Sequence, residues 1–122
     1  MENDEILKLL LRKELDESQA ESFDIDARIK DLKSLNESYK HVFEFKIGDI
    51  VHWKKGLKNK KVPAYGEPAV VIQNLVQPIL DDKEDTSSPY FREPLNIKLG
   101  VIRNGDLLIF HFDSHRFELL QR

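Results

Sequence analysis

Lys54, Lys55, Lys58, Lys60 and Lys61 crowd into one loop, with Trp53 at its base and Tyr65 at its end. Cations beside aromatic rings suit phosphate contacts and base stacking, so this loop is a candidate RNA or DNA surface. Clustered lysines also keep a sheet edge from pairing and a protein soluble, which is the commoner reason for them. A second constellation is His111-x-Asp113-x-His115, whose alternation on a strand would set three ligating side chains on one face, as a metal site requires. Hairpin pairing puts Lys98 opposite His111, where it would repel a cation, and His115 falls beyond the strand in a turn. No metal is expected. The third is His52, with Asp49, Glu67 and Glu93 as candidate acid–base partners. No nucleophile elbow, Gly-rich phosphate loop, Ser-His-Asp spacing or metalloprotease helix motif accompanies it, so neither catalysis nor a cofactor is expected. Tyr90 and Phe91, set between Pro89 and Pro94, must either fold back onto the body of the protein or meet a partner. With Trp53 and Tyr65 they make the candidate partner-binding aromatics.

The chain that must position these groups has 122 residues, the length of one domain, with 40% hydrophobic and 34% charged residues. That balance is globular and well solvated. A net charge of −3 works against recognition of polyanions by the whole molecule and leaves only a local basic patch. With no cysteine there is no disulfide, thiol chemistry or thiolate zinc site. The opening Met-Glu-Asn-Asp-Glu is acidic where a secretory signal is basic, and no apolar run reaches the ~20 residues of a membrane span. The expectation is a cytoplasmic protein without a membrane partner.

Glycine and proline are absent from residues 1–47 and concentrated between Gly48 and Gly105, which separates a helical region from a β region. Asn3 can cap a first helix bearing Ile6, Leu7, Leu9, Leu10, Leu11 and Leu15, a stripe wide enough to seek cover from the fold or from a second chain. Ser22 or Asp24 can cap a second helix with Ile25, Ile29, Leu32, Leu35 and Tyr39 on one side. A helical hairpin follows, or one long bent helix, and a homodimer through these helices is expected. In the β region, Asn104-Gly105 marks a two-residue type I′ turn. Arg103 then faces Asp106, and the pairs Val101–Leu108, Leu99–Phe110 and Ile97–Phe112 share an apolar face, while Lys98–His111 and Asn96–Asp113 share the other. A short turn over Ser114 to Arg116 leads into a closing strand, Phe117 to Leu120.

Gly48-Asp49-Ile50-Val51 with Trp53, then Pro68-Ala69-Val70-Val71-Ile72 and Asn74, resembles the opening of the MazF/PemK toxin family, SH3-like barrels that cleave RNA. In that family an Arg precedes the proline that opens the second strand and serves the phosphate chemistry. Glu67 stands there in this chain, and a carboxylate would repel the phosphate, so the resemblance implies the barrel without the nuclease. The basic loop, the Pro-Tyr-Phe-Arg-Glu-Pro segment and the Phe-His-Phe-Asp-Ser-His ending are also similar to small bacterial proteins, a likeness that implies no activity.

The expected architecture is α+β, mainly β: a helical region over 1–42, taken as the dimerisation element, and a five-stranded SH3-like barrel over 43–122 with a long loop at 77–94. Two functions follow from it. The leading one is a non-catalytic interaction module that binds a protein or peptide through Trp53, Tyr65, Tyr90 and Phe91. The alternative is a small barrel that binds RNA or DNA through Lys54 to Lys61.

Overall fold

The computed structural model describes residues 23–80 and 85–122, and the expected first helix lies outside them. The chain divides into two compact units, residues 1–34 and 35–122. Helix α1, Ile25–Lys40, begins in the first unit and ends in the second. Its start is fixed by Asp24, whose carboxylate accepts from the amides of Asp26 and Ala27 at 2.9 and 3.3 Å. These are donors that a helix cannot satisfy internally. Arg28 lies over the Phe23 ring, 3.9 Å from its centre. Ile25, Ile29 and Leu32 remain exposed.

Within the second unit five strands form one antiparallel sheet: β1 (Ile50–Trp53), β2 (Ala69–Leu80), β3 (Pro94–Arg103), β4 (Asp106–Phe112) and β5 (Phe117–Gln121). Their spatial order is β4-β3-β2-β1-β5, so β4 and β5 are the edges. The sheet stays open, because β4 and β5 are not paired with each other.

Local chemistry explains the register. Gly48, at φ 93°, makes the turn before β1, where its amide donates to the Val71 carbonyl at 2.8 Å and the Asp49 carboxylate accepts from the Lys46 amide at 2.8 Å. Asn104 and Gly105, at φ 54° and 81°, form the tight turn between β3 and β4, and the pairs Arg103–Asp106, Val101–Leu108, Leu99–Phe110 and Ile97–Phe112 are those that the turn dictates. The expected Asn96–Asp113 pair is replaced: β4 ends at Phe112, and Asn96 instead exchanges hydrogen bonds with Ser114 at 2.8 and 3.0 Å. The 3-10 turn Ser114–Arg116 then delivers the chain to β5.

The connection expected over 77–94 is shorter than its residues suggested. β2 runs on to Leu80, which pairs with Pro94 after an irregularity between Asn74 and Ile79, so the loop proper begins past residue 80.

The core lies on one face of the sheet: Val51, Trp53, Ala69, Val71, Ile97, Leu99, Val101, Phe112 and Phe117, with Phe45 from the preceding segment. Trp53 stacks on Phe117 at 4.2 Å between ring centres, and Phe112 meets both rings edge-on. Burial fades toward β4: Leu108 and Phe110 point to the core face yet stay 40% and 38% exposed, since among the described residues no strand pairs beyond this edge.

Candidate functional site

Three segments of the second unit converge beside the core: the lysine loop, the stretch 85–93 and the 3-10 turn. Asp113 organises the meeting point. Buried to 1% exposure, it caps the 3-10 turn by accepting from the His115 amide at 3.0 Å, and the same oxygen lies 2.8 Å from His115 Nδ1. Its other oxygen accepts from the Tyr39 hydroxyl at 2.6 Å, and the Tyr39 ring stacks on His115 at 4.9 Å. Burial, then the neighbouring carboxylate, pushes the Tyr39 phenol up to about 12. The last turn of α1 is thereby pinned to the end of the sheet.

Glu93, also buried, holds the second half of the cluster. It accepts from Asn59 Nδ2 at 2.8 Å and pairs with Lys60 at 3.4 Å and Arg116 Nε at 3.5 Å. Arg116 donates in addition to the Leu57 carbonyl at 3.1 Å and lies over the Tyr39 ring. The Tyr90 hydroxyl donates to the Asn59 carbonyl at 2.5 Å, so the 85–93 stretch is fastened to the lysine loop at Asn59, by both its backbone carbonyl and its side-chain amide. That stretch is itself a run of turns, with Ser88 N bonded to Asp85 O, Phe91 N to Ser88 O and Glu93 N to Tyr90 O. Through the His115 amide and the Asn59 and Leu57 carbonyls the cluster ties side chains to backbone across the three segments, which makes it a clamp that sets loop shape.

The expected binding residues are divided by this arrangement. Trp53 is 2% exposed and its Nε1 donates to the Pro63 carbonyl at 2.6 Å, which places it in the core and outside any accessible groove. Tyr65 is exposed, with its hydroxyl 3.4 Å from the Lys58 amide. Tyr90 folds back by its hydroxyl, as the costs of aromatic exposure suggested, while Phe91 beside it stays exposed. Lys54 is buried: its ammonium donates to the Ser38 and His41 carbonyls at the end of α1, and burial pushes its pKa down. Lys60 is held by Glu93. Lys55 and Lys61 remain exposed, and the Lys58 ammonium lies 5.8 Å from the centre of the Tyr65 ring.

The other constellations come apart. His111 faces Lys98 across the hairpin, whereas Asp113 and His115 join the clamp. Among the described residues no group of three or more metal-ligating side chains is present. His52 pairs across strands with Glu118 at 3.0 Å, and none of Asp49, Glu67 and Glu93 is its partner. Glu67 receives both terminal nitrogens of Arg103, one at 2.9 Å, and the Ala64 amide at 2.9 Å. Those bonds, the guanidinium's first, hold its carboxyl well below the usual range, at about 2.

Sequence reasoning missed the clamp because its members are far apart: Tyr39, Asn59, Glu93 and Asp113 meet only through the sheet. The one local signal was Asp113-Ser114-His115, an acceptor two residues before an amide it can cap.

A second surface lies on the outer face of the sheet. A shallow apolar groove of about 210 Å³ runs along Ile50, Pro68, Val70, Ile102 and Leu107. The polar pair Lys98–His111 shares this face with Ile102–Leu107 and Gly100–Ile109, so it is more apolar than the expected Lys98–His111 and Asn96–Asp113 pairs imply. Among the described residues no helix is long and apolar enough to cross a membrane. No protein-family model, curated protein or solved structure matches the chain.

Proposed function

We propose that this chain is a non-catalytic interaction module whose loop surface, carrying Tyr65, Tyr90 and Phe91, binds a protein or peptide. The observation that carries the reading is the division of the loop. Lys54 is turned inward and Lys60 is neutralised by Glu93, while Tyr65 and Phe91 keep their rings in solvent. The clamp holds the backbone on either side of Phe91 through Tyr90 and Glu93 before any partner arrives, which lowers the ordering cost of binding. An extended segment with apolar side chains and an acidic residue, the latter for Lys58, fits the exposed chemistry. The strand order, and the 3-10 turn ahead of the last strand, support an SH3-like reading of the fold. Glu67, locked onto Arg103, supports a non-catalytic one.

The second reading rests on Lys58, whose ammonium lies near the Tyr65 ring, and on the exposed Lys55 and Lys61 of the same loop, cations that could meet phosphates around a stacked base. Salt separates the two. Binding to the aromatic surface falls at least about tenfold in Tyr65→Ala and Phe91→Ala and changes little with ionic strength. Binding of mixed-sequence single-stranded RNA that weakens steeply with salt, and vanishes when Lys55, Lys58 and Lys61 become Glu, would replace this proposal with the nucleic-acid one.

A further inference from the structure

Strand β4 has a composition that edge strands avoid. Edges are normally protected by lysine, proline, a bulge or brevity. Between Asp106 and Phe112, β4 carries Leu107-Leu108-Ile109-Phe110 and follows β3 without a break in register. All four apolar side chains are exposed, Leu107 to 55% and Ile109 to 49%. Among the described residues no strand pairs with its outer side.

The two-residue turn decides which backbone groups are left free. Arg103 and Asp106 flank the turn as a hydrogen-bonded pair, and bonded and non-bonded pairs then alternate along the ladder. Asp106, Leu108, Phe110 and Phe112 therefore direct their N–H and C=O groups toward β3. Leu107, Ile109 and His111 direct theirs outward.

We propose that β4 pairs antiparallel with β4 of a second copy about a twofold axis through Ile109, the middle residue of the strand, joining two sheets into one. In this register Leu107 and His111 of one copy exchange hydrogen bonds with His111 and Leu107 of the other, and Ile109 does so with its own counterpart. On the core face Leu108 lies opposite Phe110 in both directions, covering the two side chains that the open sheet leaves half-exposed. On the outer face Ile109 meets Ile109. No charge faces a like charge.

This self-complementarity selects a second copy over an unrelated strand: one register satisfies the backbone, both faces and the symmetry together. Pairing of β4 with the β5 edge would be heterologous and would lead to rings or open chains of copies in place of a twofold pair.

The axis makes a test available in the full-length chain. By sedimentation the wild type is a dimer, while Ile109→Lys and Ile109→Asp, each placing like charges against themselves, are folded monomers with wild-type circular dichroism. Mixed in equal amounts, the two variants form a one-to-one heterodimer, because Lys then faces Asp. Hydrogen exchange at the Leu107, Ile109 and His111 amides of the wild type slows as concentration rises, a readout that depends on no variant. Three results would overturn the proposal. One is a wild-type monomer at high concentration, whose edge, if protected, is covered from within its own chain. Another is a dimer that survives both substitutions, with its contact elsewhere, such as the N-terminal helical region. The third is failure of the mixed variants to associate.

Discussion

Asp113 and Glu67 show how two carboxylates in one chain take on different work through their surroundings. Asp113 is buried and spends both oxygens on a backbone amide, an imidazole and a phenol. Glu67 sits nearer the surface and is held by a two-pronged guanidinium. Its carboxyl is held at about 2, below the ordinary 4.5, so the folded state keeps the charge where the unfolded chain would take up a proton. The stability this contributes is fully present above about pH 4.5 and is lost as pH falls toward 2. Urea titrations of the wild type and Glu67→Gln should therefore differ by a constant amount above pH 4.5 and converge near pH 2. A gap that does not narrow in acid would show that the Arg103 pair lacks this effect. Neither carboxylate's role was legible in the sequence. Glu67 could be read only as a missing arginine, since its partner is 36 positions away. Asp113 carried a visible motif, but a metal set and a turn cap look alike until the strand's end is known.

At the scale of elements, local signals carried furthest where short-range chemistry decides. Asp24 as a cap and the Ile25 to Tyr39 periodicity give α1, and Asn104-Gly105 gives the register of β3 with β4. Two things escaped. The continuation of β2 to Leu80 depends on pairing with residues beyond the loop, and the burial of Trp53 and Lys54 depends on what packs above them. The attachment of α1 is a case of the latter kind: Lys54 takes the Ser38 and His41 carbonyls, Leu35 lies over Gly56, and Tyr39 reaches Asp113. Tyr39→Phe keeps the ring stack on His115 and deletes only the hydroxyl, leaving a buried oxygen of Asp113 short of a donor. The expected cost is about 1–3 kcal/mol, or a fall in Tm of several degrees, measured by urea and thermal unfolding. An unchanged midpoint would mean that the Tyr39 bond adds nothing to the clamp.

For the whole molecule, two of the exposed apolar surfaces among the described residues matter most to this account: the β4 edge and the loops around Tyr65 and Phe91. The first was half legible, since pairing arithmetic found the apolar core face of β4 but not that the strand would lie at an edge with apolar residues on both sides. The second was legible as a set of residue types and not as a surface, because Trp53 and Lys54 belong to the interior. A net charge of −3 and the withdrawal of two lysines from the loop both disfavour a polyanion as the main partner. The most direct measurement is quantitative capture from native cytosol by the full-length chain, before and after nuclease treatment, with wild type, the Tyr65→Ala, Phe91→Ala double variant and the triple Lys→Glu variant at 55, 58 and 61 as baits. Capture of a defined protein that persists after nuclease, survives the triple variant and is lost with the aromatic double variant is the predicted result. Capture that disappears with nuclease or with the triple variant would contradict it.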